Sequence, residues 1–208
     1  MSRHLSTMLV NMSTERRRPN PRGEGGRLRG DLIEAASRLL EEGGGEQTLS
    51  LRAVTRLAGV APQSVYLHFA DRKALLVAVY EARFGELLDT LTAATGSDTH
   101  RRLRAICLAY CGYAQQHPGH YQVLFGTAGS PGWEPDEMAG LPALEVLDAA
   151  VRACTADTAP GISATTLCLW AALHGLTVLR RDRPSFPWPD LDGLVDTLLA
   201  AHTPLATA

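Results

Sequence analysis

The chain has 208 residues, 45% of them hydrophobic, and a formal net charge of −2 at pH 7. No run of about 18 apolar residues occurs, which argues against a membrane-spanning helix. Residues 1–30 also lack the apolar core of a secretory signal. We therefore expect a cytoplasmic protein with room for a small helical module and a larger helical domain.

The positive charge is concentrated at the start of the chain. Residues 1–30 contain seven Arg and two Glu, a charge of +5, whereas residues 31–83 carry −1 and residues 84–208 carry −6. We interpret residues 1–26 as a flexible basic arm, because its arginines are interleaved with Pro and Gly. The arm either lies along a DNA backbone or minor groove or is a solvated tail, and the sequence leaves both readings open.

Residues 50–73 have the pattern of two short helices separated by a tight turn. Apolar residues recur at helical spacing up to Leu57, and Gly59 then interrupts the pattern. Glycine adopts the left-handed backbone conformation of a sharp reversal without steric cost, and Pro62 is favoured at a first helical position. This is the pattern of a helix-turn-helix, whose second helix enters the DNA major groove.

The second of these short helices has an apolar face and a polar face. Val65 and Phe69, spaced by four, are expected to be buried together with Leu57 and Val60. On the polar face, Gln and Ser suit base edges, whereas Tyr, His and Lys suit phosphates. Taken alone, the pattern also fits two amphipathic helices of an all-α bundle.

Three short segments of this region match a known family: Ala58-Gly59-Val60, Tyr66-Leu67-His68-Phe69 and Lys73-Ala74-Leu75-Leu76. Through them, residues 28–80 resemble the N-terminal domain of the tetracycline-repressor (TetR) family of transcriptional regulators. Ala61 departs from the family pattern, which usually places a capping Ser or Thr there, and Thr55 stands where a small Ala is common.

The resemblance implies an all-α architecture in two parts. A three-helix DNA-binding domain would occupy residues 27–73, and a helical effector-binding and dimerisation domain would occupy residues 74–208. Gln63 and Ser64 would read bases, and the other residues of the interface would mainly hold the DNA backbone. The DNA-binding residues are then Ser50, Arg52, Pro62, Gln63, Ser64, Tyr66, His68 and Lys73.

Beyond the DNA-binding pattern, the chain continues as predicted helices without a recognisable strand. Proline disfavours helix in the residue before it, so His117-Pro118 separates two of these helices. A Gly- and Pro-rich loop is expected over residues 127–139. The predicted helices span about 71–94, 98–116, 118–126, 140–156, 161–182 and 190–202.

The last two predicted helices indicate self-association. Residues 161–182 are apolar on most faces, and a helix of that kind must be buried on more than one side. As the resemblance implies, two such helices per chain would meet their copies in a four-helix homodimer interface, although a monomer core could also use them. A dimer would place two recognition helices about 34–36 Å apart, which matches a palindromic double-stranded DNA operator.

The segment Trp170-…-His174-Gly175 resembles a signature of one TetR C-terminal subgroup, of which the His117-Pro118-…-Tyr121 segment is also typical. His174 could face an effector or could be a core histidine bonded to a backbone carbonyl. Each aromatic candidate could equally belong to the core. The candidate effector contacts are Tyr110, Tyr113, Phe125, Trp133, Trp170 and His174.

Other kinds of site have weaker support in the sequence. The four cysteines, Cys107, Cys111, Cys154 and Cys168, form no C-x-x-C pair and are interpreted as small hydrophobic residues in a reducing compartment. The seven histidines are scattered, so no metal site and no cofactor are expected. Neither a nucleophile motif nor a phosphate-binding loop is present, so we do not expect an enzyme.

The sequence therefore predicts a homodimeric repressor that a small apolar or aromatic effector releases from its operator. DNA and effector would prefer different conformations, so that binding one weakens binding of the other. Two other classes of protein remain. One is a DNA-binding regulator that either needs no small-molecule effector or activates transcription. The other is an enzyme that acts on an apolar substrate.

Overall fold

The computed structural model describes residues 24–43, 49–125, 139–155 and 157–203. Within these ranges the chain is helical and contains no strand, which confirms the predicted all-α class. None of the described helices is both long and apolar enough to cross a bilayer. Most of the predicted basic arm, residues 1–23, lies outside the described ranges, as does most of the predicted loop.

From residue 72 onward, the helical bounds lie within three residues of the predicted ones. The elements in chain order are α1 (Glu24–Gly43), α2 (Leu51–Leu57), a 3-10 helix (Pro62–Leu67), α3 (Arg72–Ala93), α4 (Thr99–Gln116), α5 (Pro118–Phe125), α6 (Leu141–Thr155), α7 (Ala164–Asp182) and α8 (Leu191–His202).

Short polar side chains fix where several helices begin. An N-cap residue accepts a hydrogen bond from an otherwise unpaired backbone N–H of the first turn, which is worth about 1 kcal/mol. The carboxylate of Asp71 accepts from the N–H of Ala74 at 2.8 Å at the start of α3. The same arrangement opens α2 at Ser50, α4 at Asp98, α7 at Ser163 and α8 at Asp190.

The turn after α2 has the conformation that its glycine predicts. Gly59 has a φ of +68°, in the left-handed region. The N–H of Val60 then donates to Thr55 O at 2.9 Å, which closes the turn. The second short helix is a 3-10 helix rather than an α-helix, with the N–H of Ser64 bonded to Ala61 O at 2.9 Å. This helix has six residues, begins with Pro62 and has no side-chain cap hydrogen bond at its start.

The burial of this region agrees with the prediction at all but one position. Val65 and Phe69 are buried and Val60 is half-buried. Leu57 was expected to be buried but is 39% exposed. Val54 and Thr55 define the buried face of α2, and Leu57 lies to one side of that face at about 100° per residue.

The long helix α3 connects the two parts of the chain. Near its start, Leu75 and Val79 are buried, and α3 contacts α1 there. Near its end, Leu87 and Leu91 are buried, and α3 also contacts α4 and α6. One continuous hydrophobic core thus runs from the DNA-binding pattern into the C-terminal helices. Because interiors are close-packed, a displacement of α3 would be felt at both ends.

The C-terminal helices pack around α4, which contacts α3, α5, α6, α7 and α8. On α7 only Thr166, Leu169 and Leu173 are buried. The opposite side of that helix is open, and it leaves Leu167 44% and Leu179 53% exposed. The second buried side that the sequence predicts for this helix is therefore not supplied by the single chain.

Candidate nucleic-acid interface and effector domain

The residues predicted to contact DNA lie around the 3-10 helix and at the starts of α2 and α3. Tyr66 is the most exposed aromatic residue of this group, at 63%. Ser64 and His68 are half-buried, and Val65 behind them is buried. The exposed members of the group are Ser50, Arg52, Pro62, Gln63, Tyr66 and Lys73.

The 3-10 helix is held by its apolar face, so its polar face is available for binding. Val65 and Phe69 anchor one side in the core. Gln63 carries both amide donors and a carbonyl acceptor, which is the combination that pairs with adenine in the major groove. Arg29 of α1 lies over the Phe69 ring at 5.3 Å and adds a cation beside the segment. Arg29 was not among the predicted DNA-binding residues.

Positive charge on this side is available to phosphates. In the described part of the chain, neither Arg52 nor Lys73 forms an ion pair, and both are exposed. Arg72 serves the fold instead, since its Nε donates to Leu49 O at 2.9 Å and ties α3 to the start of α2. Ser50 Oγ accepts from the N–H of Ala53 at 3.2 Å as the α2 cap, and its hydroxyl hydrogen remains available to a phosphate oxygen.

In the C-terminal part, four of the predicted effector contacts lie together. The Phe125 ring is 6.4 Å from Trp170 and 5.2 Å from His174, measured between centroids. Tyr110 is 6.4 Å from the same Phe125 ring. Tyr121 of α5, which was not among the predicted effector contacts, completes this aromatic cluster at 4.7 Å from Phe125.

Hydrogen bonds join the polar atoms of the aromatic cluster into a chain. Trp170 Nε1 donates to Tyr110 Oη at 3.3 Å. Tyr110 Oη lies 2.8 Å from Tyr121 Oη, which lies 2.6 Å from His174 Nδ1. Among the described residues, each N–H and O–H hydrogen of this hydrogen-bonded series has an acceptor only if every donor points from Trp170 toward His174. The imidazole is then neutral, with Nδ1 as acceptor and Nε2 protonated.

The electrostatics of the aromatic cluster agree with that direction. Burial and then the nearby Arg181 cation hold the pKa of His174 below its ordinary value of 6.5. Burial raises the pKa of Tyr121 to about 12, although its hydrogen bond with Tyr110 opposes this shift. A neutral histidine and two neutral phenols make a surface that suits an uncharged aromatic or apolar group.

The remaining two predicted effector contacts are not part of the cluster. Tyr113 is buried on another side of α4, where its hydroxyl donates to Arg83 O at 3.3 Å. Trp133 lies outside the described residues. Cys107 and Cys111 are buried as expected, and burial raises the pKa of the Cys107 thiol to about 12. Within the described ranges, no three His, Cys, Asp or Glu side chains are grouped closely enough to hold a metal ion.

A charged junction that the sequence did not predict lies between the two parts of the chain. Arg83 of α3 is 6% exposed, and its Nη2 lies 3.0 Å from Glu34 Oε2 of α1. Its Nη1 lies 3.0 Å from Glu86 Oε1 and 2.9 Å from His120 Nε2 of α5. His120 is also 3.4 Å from Glu41 Oε1 of α1. We call these five residues the Arg83 junction.

The fold and the interface together define a class of protein. A small helical domain presents polar side chains from a helix-turn-helix, and a long helix joins it to a second helical domain, as in DNA-binding regulators. The chain belongs to the TetR family of bacterial regulatory proteins: the TetR family model matches residues 32–79, and the model for the tetracyclin repressor-like C-terminal domain matches residues 103–202. It is a DNA-binding transcription regulator and not an enzyme.

Solved structures share this fold along most of the chain. A protein of unknown function from Rhodococcus sp. RHA1 is 29% identical, with a TM-score of 0.70, and the match covers 86% of this chain and 96% of that one. The transcriptional regulator FadR from Bacillus subtilis, solved in complex with stearoyl-CoA, is 13% identical with a TM-score of 0.69 over 84% of this chain and 97% of that one. At that identity the likeness shows the fold alone.

Curated relatives match a shorter part of the chain. Nucleoid occlusion factor SlmA of Edwardsiella ictaluri is 27% identical over 106 residues, which are 48% of this chain and 52% of that protein. The corresponding factor of Yersinia enterocolitica is 26% identical over 102 residues, with the same coverage. The chain thus spans about half the length of the curated relatives it matches.

Proposed function

We propose that this chain is a cytoplasmic, homodimeric repressor that leaves a palindromic operator when a small apolar or aromatic effector binds its C-terminal domain. Residues 27–73 form the DNA-binding domain, and residues 74–208 form the effector-binding and dimerisation domain. Residues 1–26 form a basic arm. The observation that carries the proposal is the exposed polar face of the 3-10 helix, held in place by the buried Val65 and Phe69.

Roles at the DNA follow from side-chain chemistry and exposure. Gln63 and Ser64 read base edges, because their amide and hydroxyl groups both donate and accept. Ser50, Arg52, Tyr66, His68 and Lys73 hold the phosphates, and Pro62 fixes the start of the segment. The net charge of −2 does not oppose this, because attraction to phosphate is screened beyond about 8–10 Å and depends on the local charge.

The exposed side of α7 supports a homodimer. Leu167 and Leu179 are 44% and 53% exposed, and α8 buries only Val195 within the single chain. Large exposed apolar faces usually mark interaction sites. A two-fold axis beside α7 and α8 would cover both helices at once and give one self-complementary interface.

The aromatic cluster supports the proposal that an effector binds the C-terminal domain. It contains four of the candidate effector contacts, Tyr110, Phe125, Trp170 and His174. Two of these, Trp170 and His174, belong to the segment that resembles the Trp-…-His-Gly subgroup. An effector that enters this domain would act through α3, which contacts helices in both parts of the chain. It weakens DNA binding only to the extent that it prefers the conformation unsuited to the operator.

Footprinting tests this function. Purified protein is incubated with DNA from beside its own gene, and the protected bases are read at increasing protein concentration. We expect two protected half-sites related by two-fold symmetry and about one helical turn apart, with light scattering showing a dimer. Protection without symmetry, or a monomer at the concentration that protects DNA, would contradict the proposal.

A regulator that needs no small-molecule effector is the second candidate. It is favoured by the similarity to nucleoid occlusion factors, which covers about half of each chain. For that candidate, extracts of cell metabolites would leave the footprint unchanged. An activator would give the same footprint but raise, rather than lower, transcription of a reporter gene.

A further inference from the structure

A groove of about 580 Å³ lies between α4, the end of α7 and the connection from α7 to α8. Its volume is in the range of sites that bind small organic molecules. Thr177 and Arg180 of its wall continue the buried line of Leu169 and Leu173 along α7. The groove therefore lies on the inner side of α7, away from the exposed Leu167 and Leu179.

One wall of the groove is aromatic and apolar. Phe186 and Trp188 pack at 4.7 Å between ring centroids, and Phe186 is 57% exposed. Pro184 and Leu191 line the same space. An exposed aromatic residue at a concave surface favours a planar apolar ligand, because stacking removes the ring from water.

The other wall is cationic. Arg180 and Arg181 both line the groove, and none of its described lining residues is Asp or Glu. Arg180 lies over the Trp188 ring at 5.8 Å and donates Nη1 to Pro189 O at 2.8 Å. It forms no ion pair within the described ranges, whereas Arg181 pairs with Asp182 at 2.8 Å. A guanidinium has five N–H donors, so Arg180 retains donors in the geometry that a carboxylate accepts.

We propose that this groove binds an aryl carboxylate, with its ring against the aromatic wall of Phe186 and Trp188 and its carboxylate on Arg180. The inference rests on the proposed function, because it names the chemical class of the effector. Arg180 supplies the charge-assisted hydrogen bonds and Arg181 adds long-range attraction. The aromatic wall supplies most of the buried area.

Helix α5 carries the effect of the ligand to the DNA-binding domain. Tyr121 lines the groove, and the preceding His120 belongs to the Arg83 junction, where it contacts Glu41 of α1. The approach of α5 to α1 is close, since a Cβ on Gly119 would collide with the Glu41 carboxylate. A ligand that displaces Tyr121 therefore moves α5 against α1 and weakens operator binding.

Calorimetry with 2-naphthoate tests the groove, and uncharged 2-naphthamide serves as the matched ligand. We expect 2-naphthoate to bind the full-length protein with a Kd below about 1 mM. The amide should bind the wild type about tenfold more weakly than 2-naphthoate does, and 2-naphthoate should bind Arg180→Gln about tenfold more weakly than it binds the wild type. Each change removes one partner of the charged pair. Arg183→Gln removes a charge from a residue outside the groove wall and should stay within about twofold of the wild type.

The folded state of each variant is checked by its circular dichroism and thermal midpoint. Arg180→Lys keeps the charge but loses the planar fork, so it should bind with intermediate affinity. If 2-naphthoate does not bind, or binds equally well to wild type and Arg180→Gln, the groove assignment is overturned.

Operator affinity tests the second half of the proposal. The footprinted DNA is labelled, and its affinity is measured by fluorescence anisotropy with and without saturating 2-naphthoate. We expect at least fivefold weaker operator binding with the wild type. Arg180→Gln should show a clearly smaller loss at the same concentration, because it is then only partly occupied. Ligand binding that leaves operator affinity unchanged overturns the relay through α5. A protein that gives no footprint at all overturns the proposed function. That failure is distinct from a failure of the groove to bind 2-naphthoate, because the two are measured separately.

Discussion

Arg83 Nη2 lies 3.0 Å from Glu34 Oε2, so a cation of the connecting helix holds a carboxylate of the DNA-binding domain. The Arg83 side chain is 7% exposed, whereas that of Glu34 is 53% exposed. The pair therefore sits at the boundary between protein and water. Through this pair, one buried guanidinium of α3 is joined to α1.

Replacing Arg83 should destabilise the fold. Arg83→Met keeps much of the side-chain volume but leaves Glu34 and Glu86 without their cation. Because both carboxylates can be rehydrated, we expect a loss of about 1–2 kcal/mol rather than the larger penalty of a fully buried pair. Urea unfolding measures the change. Arg102→Met, at an exposed position of α4, should change stability by less than about 0.5 kcal/mol. Equal effects of the two substitutions would contradict the role of the Arg83 junction.

Two exposed residues should control operator affinity. Tyr66→Ala and Lys73→Ala should each weaken binding in a gel-shift assay while the dimer remains intact, because both residues are proposed to hold phosphates. In Lys73→Ala, the slope of log affinity against log salt should fall by about two, since a dimer loses two phosphate contacts. Arg102→Ala is the charge-matched control. Unchanged affinity in both interface variants would refute their assignment.

Gly59→Ala should destabilise the helix-turn-helix. The φ of +68° costs an L-residue roughly 1–2 kcal/mol, and a Cβ at this position would meet no atom within 4 Å. The penalty is therefore one of backbone conformation and not of steric collision. Gly85→Ala is the matched control inside α3, where a Cβ also meets nothing and alanine is favoured by up to about 1 kcal/mol. In urea, the free energy of unfolding should thus fall in Gly59→Ala and rise in Gly85→Ala. A Gly59→Ala variant as stable as the wild type would contradict the argument.

Protonation of His174 should make the free energy of unfolding depend on pH. Its pKa is lowered in the folded state, so the unfolded chain binds the proton more readily. Its contribution to stability is complete above pH 6.5 and is lost as the pH falls below that value toward the folded-state pKa. His174→Asn keeps an acceptor for Tyr121 but cannot take up a proton.

The free energy of unfolding at pH 7.5 and pH 5.5, measured in urea, checks this prediction. The loss between the two values should be smaller in His174→Asn than in the wild type. His100→Asn, near the start of α4, should retain the wild-type loss. A wild-type loss in both variants would mean that His174 does not titrate with unfolding.

The sequence predicted the helices well because their signals are local. Apolar spacing and the break at His117-Pro118 gave the approximate helical bounds, and Gly59 indicated the turn. The resemblance to the TetR family was needed to interpret that turn as a DNA-binding site. Leu57 was misplaced because spacing alone does not say which side of a two-turn helix meets the core.

The sequence did not predict the long-range polar contacts, because the partners of each contact are far apart along the chain. Arg83 lies 49 residues from Glu34 and 37 residues from His120 along the chain. A single arginine on an amphipathic helix normally indicates a solvated position. Tyr113 and Tyr110 occur three residues apart on one helix, and only tertiary packing directs one toward Arg83 and the other toward the aromatic cluster.

The 3-10 helix limits how much sequence one subunit can read. At a rise of about 2.0 Å per residue, six residues extend about 12 Å, which corresponds to only three or four base pairs. Four base pairs distinguish about 250 alternatives, whereas a bacterial chromosome presents roughly a million or more competing positions. One half-site alone would therefore discriminate poorly, and in the proposed homodimer the second copy would supply the missing discrimination by reading the other half-site.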